Sequence, residues 1–293
     1  MKERTVYALG FFDGVHRGHQ ALLSACRDLA DQTGAKAGVA TFTGHPDGLV
    51  QGKAPVLINT YEDRRRLLIH YNIEDILELP FDRALMEMSW QDFLGKLRPQ
   101  AAGFVCGEDF RFGYRGEGNA AVLQQYCETE GIPCVVVPQM KMGEIPVSST
   151  HIRALLTQGE MEQAVEFLGH PHVFTGTVEK GRQLGRTIGI PTANLTVPDG
   201  VILPRLGVYA CKTRIDGKTY LAVTNIGTRP TVGGHHVTVE PWLLDFEGDL
   251  YGQTLTLEFY AFLRPEKNFP SLEDLKREIH KNGEQTRKIL DNK

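Results

Sequence analysis

Apolar residues in the first half of the chain follow two alternating patterns. Short apolar runs suited to buried strands occupy residues 6–12, 38–42, 76–79, 102–106 and 133–138. Segments with helical spacing of their apolar side chains lie between them, at residues 18–31, 62–71, 83–97 and 119–130. In the second of these segments the spacing turns Leu67 and Leu68 inward and leaves the arginines 64–66 mostly outward. Strands that alternate with helices predict a parallel sheet covered on both faces, with ligands at the carboxyl ends of its strands.

The pattern of apolar positions changes near residue 170. Two short helices are predicted at residues 149–156 and 160–168, and strand candidates with a period of two follow at residues 173–178, 207–215, 219–226, 237–246 and 254–262. Asp216 and Gly217 predict a two-residue hairpin turn, because glycine tolerates the positive φ that such a turn requires. Sequential strands with short turns predict an antiparallel β-barrel. Ser271 is expected to cap a final helix that runs towards Leu290.

Length and composition exclude several classes of protein. The chain of 293 residues suits two domains, and its 41% apolar and 23% charged residues exclude a disordered chain or a coiled coil. No run approaches the roughly 20 apolar residues of a membrane helix, and Asp13 interrupts the first apolar run, so no secretory signal is expected. Five cysteines without a C-x-x-C pair favour a reduced, cytoplasmic protein over a disulfide framework or a zinc–cysteine site.

The first group of candidate functional residues joins the first predicted strand to the first helix. Gly10, Gly14 and Gly18 allow the backbone to turn tightly and to approach a ligand at a helix start, where free N–H groups favour an anion. His16 and His19 are spaced to face one phosphate together. Two surface histidines in a glycine loop are the alternative, and zinc is disfavoured because no third ligand is evident nearby.

These residues carry a family resemblance. Residues 10–20 resemble the nucleotide-binding signature of the bacterial bifunctional riboflavin kinase/FMN adenylyltransferase (FAD synthetase) family. Residues 41–46, 107–113 and 147–153 resemble its second loop, its flavin/nucleotide loop and its phosphate-binding motif. The resemblance covers nearly the whole chain. It implies a Rossmann-like nucleotidyltransferase domain with a parallel sheet over residues 1–169 and an antiparallel β-barrel riboflavin kinase domain with a terminal helix over residues 170–293.

The resemblance also assigns roles in adenylyl transfer. His16 and His19 would stabilise the transferring phosphate, and Arg153 would hold the outer phosphates as a fixed fork of donors. The residues expected to bind ATP or its phosphates in this domain are Gly10, Phe12, Gly14, Gly18, Ser149 and Thr150. Asp109 and Phe110 would line the flavin or adenine pocket. A helix cap with a surface arginine is the alternative for residues 149–153, and simple core is the alternative for Phe110 and Phe112.

Two residues near these loops depart from the family pattern. Phe11 stands where many relatives carry a small or polar residue, and Gly44 stands where proline usually precedes the His-Pro pair. We expect the Phe11 ring to crowd the ATP pocket and Gly44 to loosen its loop. Neither change removes a charged group, so whether either weakens adenylyl transfer stays open.

The second group of candidate residues follows the first barrel strand, at residues 181–194. Pro191 stiffens a turn that presents Thr192 and Asn194, whose neutral oxygens suit Mg²⁺ already partly coordinated by ATP phosphates. An ordinary β-turn is the alternative. The segment resembles the riboflavin kinase signature, which implies that Gly181, Gly185 and Arg186 bind ATP phosphates and that Thr192 and Asn194 hold the metal.

By the same resemblance, Glu240 is the base that accepts the proton of the riboflavin 5′-hydroxyl, and Arg264 binds on the flavin side. A solvent-facing strand glutamate is the alternative for Glu240. Pro241 and Trp242 depart from the family pattern, and Pro241 cannot donate to a strand ladder. We therefore expect its strand to be an edge strand or to carry a bulge at this point, which would shift Glu240.

The expected function is a two-step synthesis of FAD. The barrel would phosphorylate riboflavin to FMN, and the α/β domain would adenylylate FMN, both with ATP and Mg²⁺ and with flavins as substrates. The alternatives are riboflavin kinase alone with an inactive or weak first domain, another adenylyl- or cytidylyltransferase with an unrelated barrel, and a barrel that binds single-stranded nucleic acid. Residues 170–293 carry 16 Lys and Arg against 14 Asp and Glu, too weak an excess for the last. We expect a monomer or weak homo-oligomer with small-molecule partners, no nucleic acid and no membrane.

Overall fold

The computed structural model describes residues 4–45, 48, 52, 55–181, 185, 189–231 and 234–291. The chain forms two compact units, one of Met1–Val56 with Arg64–Ser149 and the other of Leu57–Asp63 with Thr150–Lys293. Within the described residues, no helix is both long enough and apolar enough to span a membrane. The division of function between residues 1–169 and 170–293 stays a prediction.

The first unit is built on a five-stranded parallel sheet, which confirms the predicted α/β architecture. Its strands are β1 (Thr5–Leu9), β2 (Lys36–Phe42), β3 (Asp75–Leu79), β4 (Ala101–Gly107) and β7 (Cys134–Val137), in the order β3-β2-β1-β4-β7. Two short hairpins are formed by β5 (Arg111–Phe112) with β6 (Gly118–Asn119) and by β8 (Lys141–Met142) with β9 (Ile145–Pro146). The strand β1 is buried throughout, as a central parallel strand must be.

Helices of the first half begin where side chains cap them. They are α1 (Arg17–Thr33), α2 (Tyr61–His70), α3 (Arg83–Met86), α4 (Trp90–Leu97) and α5 (Ala120–Glu130). One helix was expected over residues 83–97, and that prediction is wrong. Ser89 adopts an extended backbone and its hydroxyl accepts the N–H of Asp92 at 3.1 Å, so that a second helix starts there. A favourable N-cap outweighed the continuous apolar spacing.

The second unit is a closed six-stranded barrel, as predicted. Its strands are β10 (His172–Glu179), β11 (Asn194–Leu195), β12 (Gly207–Ile215), β13 (Lys218–Thr231), β14 (Gly234–Leu243) and β15 (Thr254–Arg264). They close in the order β10-β11-β14-β13-β12-β15. Asp216 and Gly217 both have positive φ, 48° and 80°, which confirms the predicted hairpin turn. The helices in this half are α6 (Ser149–Gln158), α7 (Met161–Leu168) and α8 (Leu272–Leu290), the last capped by Ser271 as expected.

The strand that carries Glu240 is neither bulged nor at an edge, so the expectation drawn from Pro241 is wrong. β14 pairs with β13 in unbroken register, with Thr224 opposite Pro241. The Pro241 carbonyl accepts the N–H of Ala193 at 3.0 Å, on the β11 side. Because the N and C=O of one residue point to the same side of an antiparallel strand, the missing proline N–H also faces β11 and costs no bond to β13.

Gly38 permits a polar contact across the first sheet. Asp75 accepts hydrogen bonds from the hydroxyls of Thr5 at 2.9 Å and Tyr7 at 3.0 Å, and both contacts cross β2 beside Gly38. A Cβ on Gly38 would lie 2.5 Å from Thr5 Cγ2 and 2.8 Å from the Asp75 carbonyl oxygen. Burial and the Asp75 carboxylate raise the pKa of Tyr7 to about 12.

We therefore expect Gly38→Ala to destabilise the protein by about 1–3 kcal/mol through overpacking. The measurement is the midpoint of thermal unfolding. Gly95→Ala is the matched control, because a Cβ there meets nothing within 4 Å on an exposed face of α4. That substitution should stabilise by up to about 1 kcal/mol, since alanine is the better helix former. Equal midpoints for the two variants would contradict the prediction.

Candidate functional sites

The loops predicted to bind nucleotide follow three adjacent strands of the first sheet. The glycine loop follows β1, residues 43–45 follow β2, and residues 107–110 end and follow β4. Because these strands are parallel neighbours, all three loops lie at one edge of the sheet. The chain runs outward from β1 in one direction to β2 and in the other to β4, so the edge contains the switch point where ligands of such sheets bind.

The loop after β1 has a strained backbone that burial holds in place. Phe12 and Val15 have positive φ values of 60° and 41°, and Gly14 has one of 82°. Phe12 and Val15 are completely buried, and the ATP-binding role of Phe12 stays a prediction. A Cβ on Gly10 would lie 3.3 Å from the Phe12 ring. Such strain persists where the surroundings over-determine it, which is common in ligand clamps.

His16 caps the helix that follows this loop. Its ring Nδ1 accepts the N–H of His19 at 3.3 Å, and its backbone is extended as an N-cap requires. An accepting Nδ1 places the proton of the neutral ring on Nε2. A Cβ on Gly18 would come within 3.3 Å of the His16 ring, so the glycine lets the ring lie over the helix start.

His19 stacks on His16 and offers a polar atom to a ligand. The two ring centroids are 3.6 Å apart at 14°, and the Phe12 ring meets His19 edge-on at 5.2 Å. Among the described residues, nothing hydrogen-bonds the buried Nδ1 of His19. Burial holds the pKa of His19 well below its ordinary value of 6.5, and the charges of His16 and Arg64 lower it further. His19 is therefore neutral at physiological pH.

The predicted phosphate residues at the start of α6 lie in different surroundings. The Ser149 hydroxyl donates to the Asp13 carbonyl at 2.9 Å, which brings this serine to the glycine loop. Thr150 is exposed, and Arg153 is half-buried with Nη2 donating to the Thr150 hydroxyl at 3.3 Å. The roles assigned to these three side chains stay predictions.

The loop after β4 presents two exposed carboxylates, Glu108 and Asp109, and one ring. Asp109 is exposed, and its Oδ1 would lie 2.9 Å from a Cβ on Gly107, so the glycine makes room for it. Phe110 is half-buried and stacks on Phe112 at 5.6 Å. Phe112 is buried in the hydrophobic core, so the alternative of simple core is correct for that ring. The flavin-binding roles of Asp109 and Phe110 stay predictions.

In the barrel, the glycine segment and the turn after it come together. A Cβ on Gly181 would lie 2.2 Å from Asn194 Nδ2, and one on Gly185 would lie 2.2 Å from the Ile190 carbonyl and 3.4 Å from Thr192 Oγ1. Only glycine permits these approaches. The structure thus places Gly181 and Gly185 against the two predicted metal-binding residues. Arg186 lies outside the described residues.

A pocket of about 280 Å³ opens beside this turn. Its lining comes from the turn, from the ends of β10 and β14, and from a polar segment after β14, and consists of Val178, Pro191, Thr192, Ala193, Leu243, Phe246, Glu247, Gly248, Asp249, Leu250 and Tyr251. Apolar walls with a few polar groups are typical of a small-molecule site. The shared Thr192 joins the pocket to the glycine segment.

Glu240 is half-buried on β14 and is oriented by its own strand. The Thr238 hydroxyl donates to Glu240 Oε1 at 2.8 Å, and Thr238 is only 9% exposed. Asn225 on β13 lies directly opposite Glu240. The bond from Ala193 to Pro241 ties the neighbouring residue of β14 to the turn that presents Thr192 and Asn194. Glu240 therefore lies one residue from the backbone contact with the predicted metal site.

Arg264 is held by the protein rather than aimed at open solvent. Its guanidinium donates to Asn282 Oδ1 at 3.0 Å and to the Pro265 carbonyl at 3.1 Å, and it pairs with Glu278 at 3.6 Å. Its side chain is 17% exposed, and burial lowers its pKa despite the Glu278 charge. The contacts to α8 fix the end of β15, and the flavin-binding role of Arg264 stays a prediction.

Comparisons with known proteins decide the family. Residues 1–151 match the FAD synthetase family model and residues 168–290 match the riboflavin kinase model. A bifunctional riboflavin kinase/FMN adenylyltransferase of Listeria monocytogenes is 34% identical over 96% of this chain and 91% of its own. The Escherichia coli protein of that name is 35% identical over 95% and 90%. The chain belongs to the bifunctional riboflavin kinase/FMN adenylyltransferase family.

A solved structure supports the fold over the whole length. The crystal structure titled macrolide-efflux protein from Streptococcus pneumoniae has a TM-score of 0.89 and 29% identity, and covers 98% of this chain and 95% of its own. The macrolide-efflux name belongs to that protein and is not carried over to this chain. With the family established, the resemblance drawn from residues 10–20 and from the three loop segments is confirmed.

The kinase site of this family member has donors that suit Mg²⁺. Within the described residues, no three His, Cys, Asp or Glu side chains cluster closely enough to hold a metal. The oxygens of Thr192 and Asn194 are hard and neutral, and glycines pack closely on both side chains. Mg²⁺ is usually held by one or two protein oxygens together with water and substrate phosphates. The residues present therefore fit a magnesium ion that arrives with ATP.

Sequence reasoning missed two polar residues that the structure places at these sites. Thr238 gave no signal apart from its spacing of two from Glu240, which puts both side chains on one face of the strand. Arg64 was expected to point outward, and that is wrong, because it is 3% exposed. Its position three and four residues before Leu67 and Leu68 places it on the same helix face as those buried leucines, a signal that could have identified it.

Proposed function

We propose that this chain makes FAD from riboflavin in two steps. The barrel unit phosphorylates riboflavin to FMN, and the parallel-sheet unit transfers AMP from ATP to FMN. The observation that carries the proposal is the presence of two separate glycine-lined sites in one chain. In one site the His16 ring stacks on His19, whose Nδ1 has no hydrogen-bond partner among the described residues. In the other, Gly181 and Gly185 pack against Asn194 and Thr192.

In the kinase step, Glu240 takes the proton of the riboflavin 5′-hydroxyl. The hydroxyl oxygen forms a bond to the γ-phosphorus of ATP, the bond from that phosphorus to the bridging oxygen breaks, and ADP leaves. The Thr238 hydroxyl donates to Oε1 and orients the carboxylate that accepts the proton. Gly181, Gly185 and Arg186 are proposed to bind the phosphates, and Thr192 and Asn194 to hold the metal. Mg²⁺, when bound there, neutralises charge on the phosphates.

In the transferase step, a phosphate oxygen of FMN forms a bond to the α-phosphorus of ATP, and pyrophosphate leaves as the bond to the bridging oxygen breaks. The protein supplies no nucleophile, so positioning and charge stabilisation carry the catalysis. His16 donates from Nε2, and neutral His19 provides a second imidazole beside it. The free N–H groups at the start of α1 favour the anion. Ser149, Thr150 and Arg153 are proposed to hold the outer phosphates, and Asp109 and Phe110 to contact the flavin of this step. Arg264 is proposed to contact the flavin of the kinase step, in the barrel unit.

The same reasoning extends to partners and location. We propose that residues 1–169 and 170–293 divide the two activities, that the partners are ATP, riboflavin and FMN rather than nucleic acid, and that the chain acts as a monomer or weak homo-oligomer. All five cysteines are free thiols, and three of them, Cys106, Cys127 and Cys134, pack in the hydrophobic core of the parallel-sheet unit. Free buried thiols support a reducing, cytoplasmic setting.

A time course with riboflavin, ATP and Mg²⁺ tests the function. We expect FMN to appear first and FAD to follow, with the flavins separated by chromatography. Supplying FMN directly isolates the second step. Arrest at FMN in both experiments would favour the kinase-only alternative, for which the Phe11 departure is the specific observation. Absence of any conversion would contradict both.

A further inference from the structure

Arg64 is a buried cation in the middle of the parallel-sheet unit. It lies in the first half of α2 and is 3% exposed, while the next residues, Arg65 and Arg66, are exposed. Burying an unpaired charge costs far more than a single contact returns, so a buried guanidinium must be satisfied. The residues that satisfy it belong to the loops of the proposed adenylyltransferase site.

The guanidinium joins the ends of two strands. Nη1 donates to the Phe11 carbonyl at 2.9 Å and Nη2 donates to the Phe42 carbonyl at 2.8 Å. Phe11 lies in the glycine loop after β1, and Phe42 is the last residue of β2. The Thr41 hydroxyl also donates to the Phe11 carbonyl, at 3.2 Å. Because the guanidinium is planar and rigid, it sets the spacing of these two carbonyls.

The Phe11 ring completes the arrangement. Arg64 Cζ lies 4.3 Å from the centre of that ring, and the ring meets His45 edge-on at 4.6 Å. The Phe11 ring packs between a side chain of α2 and one of the loop after β2. The negative face of an aromatic ring attracts a cation, most strongly where both groups are removed from water.

The charge of Arg64 also acts on the histidine pair. Burial lowers the pKa of Arg64 to about 10, against the opposing effect of buried Asp13, so it remains a cation at neutral pH. The charged or titratable groups that act on His19 are His16, from the cap of α1, and Arg64, from α2, and Phe12 adds an uncharged ring. Arg64 and the adjacent His16 add to the effect of burial in keeping His19 neutral.

We propose that Arg64 is a positioning residue of the adenylyltransferase site, which locks the loops after β1 and β2 together around the phosphate-binding histidines. The proposal rests on the proposed function of this unit. Arg64 touches neither reacting atoms nor phosphate in this role. It acts through the Phe11 and Phe42 carbonyls and through its charge near His19.

The test compares Arg64→Met, Arg64→Lys and the matched control Arg65→Met, whose arginine is exposed and pairs with Glu78. FAD formation from supplied FMN is measured for each variant, the midpoint of thermal unfolding reports folding, and FMN formation by the same preparation reports the barrel unit. Arg64→Met should lower kcat of FAD formation about 10²-fold, because misplacement of about 1 Å costs that much, with a smaller change in KM for ATP. Arg64→Lys should restore little of kcat, since one ammonium cannot span both carbonyls in this geometry.

A titration separates the two effects of Arg64. The NMR resonances of the histidine rings are followed against pH in the full chain. Those of His19 are identified by their absence from the spectrum of His19→Asn. In Arg64→Met the pKa of His19 should rise towards 6.5, and in Arg64→Lys it should stay low because the charge is kept. The acid limb of FAD formation should move to higher pH in the Met variant only. A merely structural role would move neither.

Three results would overturn the proposal: kcat of Arg64→Met within threefold of the parent, an equal loss in Arg65→Met, or an unchanged His19 titration in Arg64→Met. If Arg64→Met lacks the cooperative unfolding transition of the parent, it has not folded, and Phe11→Leu takes its place. That variant keeps both hydrogen bonds and should lower FAD formation about tenfold, and an unchanged rate in it and in Arg64→Lys overturns the proposal. A parent chain that forms no FAD from FMN contradicts the proposed function instead, while the titration still tests Arg64.

Discussion

Glu240→Gln is expected to lower the rate of FMN formation by about 10²- to 10⁴-fold, the range that a general base contributes. The amide keeps the size of the side chain and can still meet the Thr238 hydroxyl, but it cannot accept the substrate proton. FAD formation from supplied FMN should continue at the parent rate, because it depends on the other unit. The measurement is the initial rate of each step on one preparation.

Asp245→Asn is the matched control for that change. Asp245 lies five residues after Glu240, its side chain is 72% exposed, and its carboxylate pairs with Arg287. Its backbone has a positive φ, which asparagine tolerates well. FMN formation should then stay within twofold of the parent. Full kinase turnover in Glu240→Gln would show that Glu240 is not the base, and an equal loss in Asp245→Asn would show that the effect is not local.

His19→Asn is expected to lower FAD formation by about 10²- to 10³-fold, which is the usual cost of removing one donor that stabilises developing charge. FMN formation should be unchanged. His16→Asn should give a loss of similar size without a loss of stability, because asparagine is itself a favoured N-cap and can replace Nδ1 as the acceptor. His16→Ala should lower both activity and stability, the latter by about 1 kcal/mol.

A change at an exposed histidine provides the control for the pair. His70 lies in the last turn of α2 and is exposed, so both activities of His70→Asn should stay near the parent values. Unchanged FAD formation in His19→Asn would place the transferase site elsewhere. A drop in unfolding temperature for His16→Asn as large as that for His16→Ala would contradict the capping assignment.

Much of the fold was predictable because local spacing and burial agreed. The parallel sheet followed from apolar runs separated by helical segments, and the hairpin at Asp216 and Gly217 followed from turn chemistry. The misses came where a single side chain outweighed the pattern. Ser89 capped a new helix inside an apolar period, and the backbone of Pro241 faced the side of its strand where no N–H was needed.

The sequence by itself determined the two-domain layout, the family and the residue types of both sites, because glycine spacing, paired histidines and a proline-stiffened turn are local features. Only the tertiary structure decided how those residues act on one another. His19 is held neutral by burial and by its neighbours His16 and Arg64, and Arg64 bridges carbonyls 31 positions apart in the chain, from Phe11 to Phe42. The partners of a buried side chain and the direction of a carbonyl depend on packing between distant segments, which no local pattern encodes.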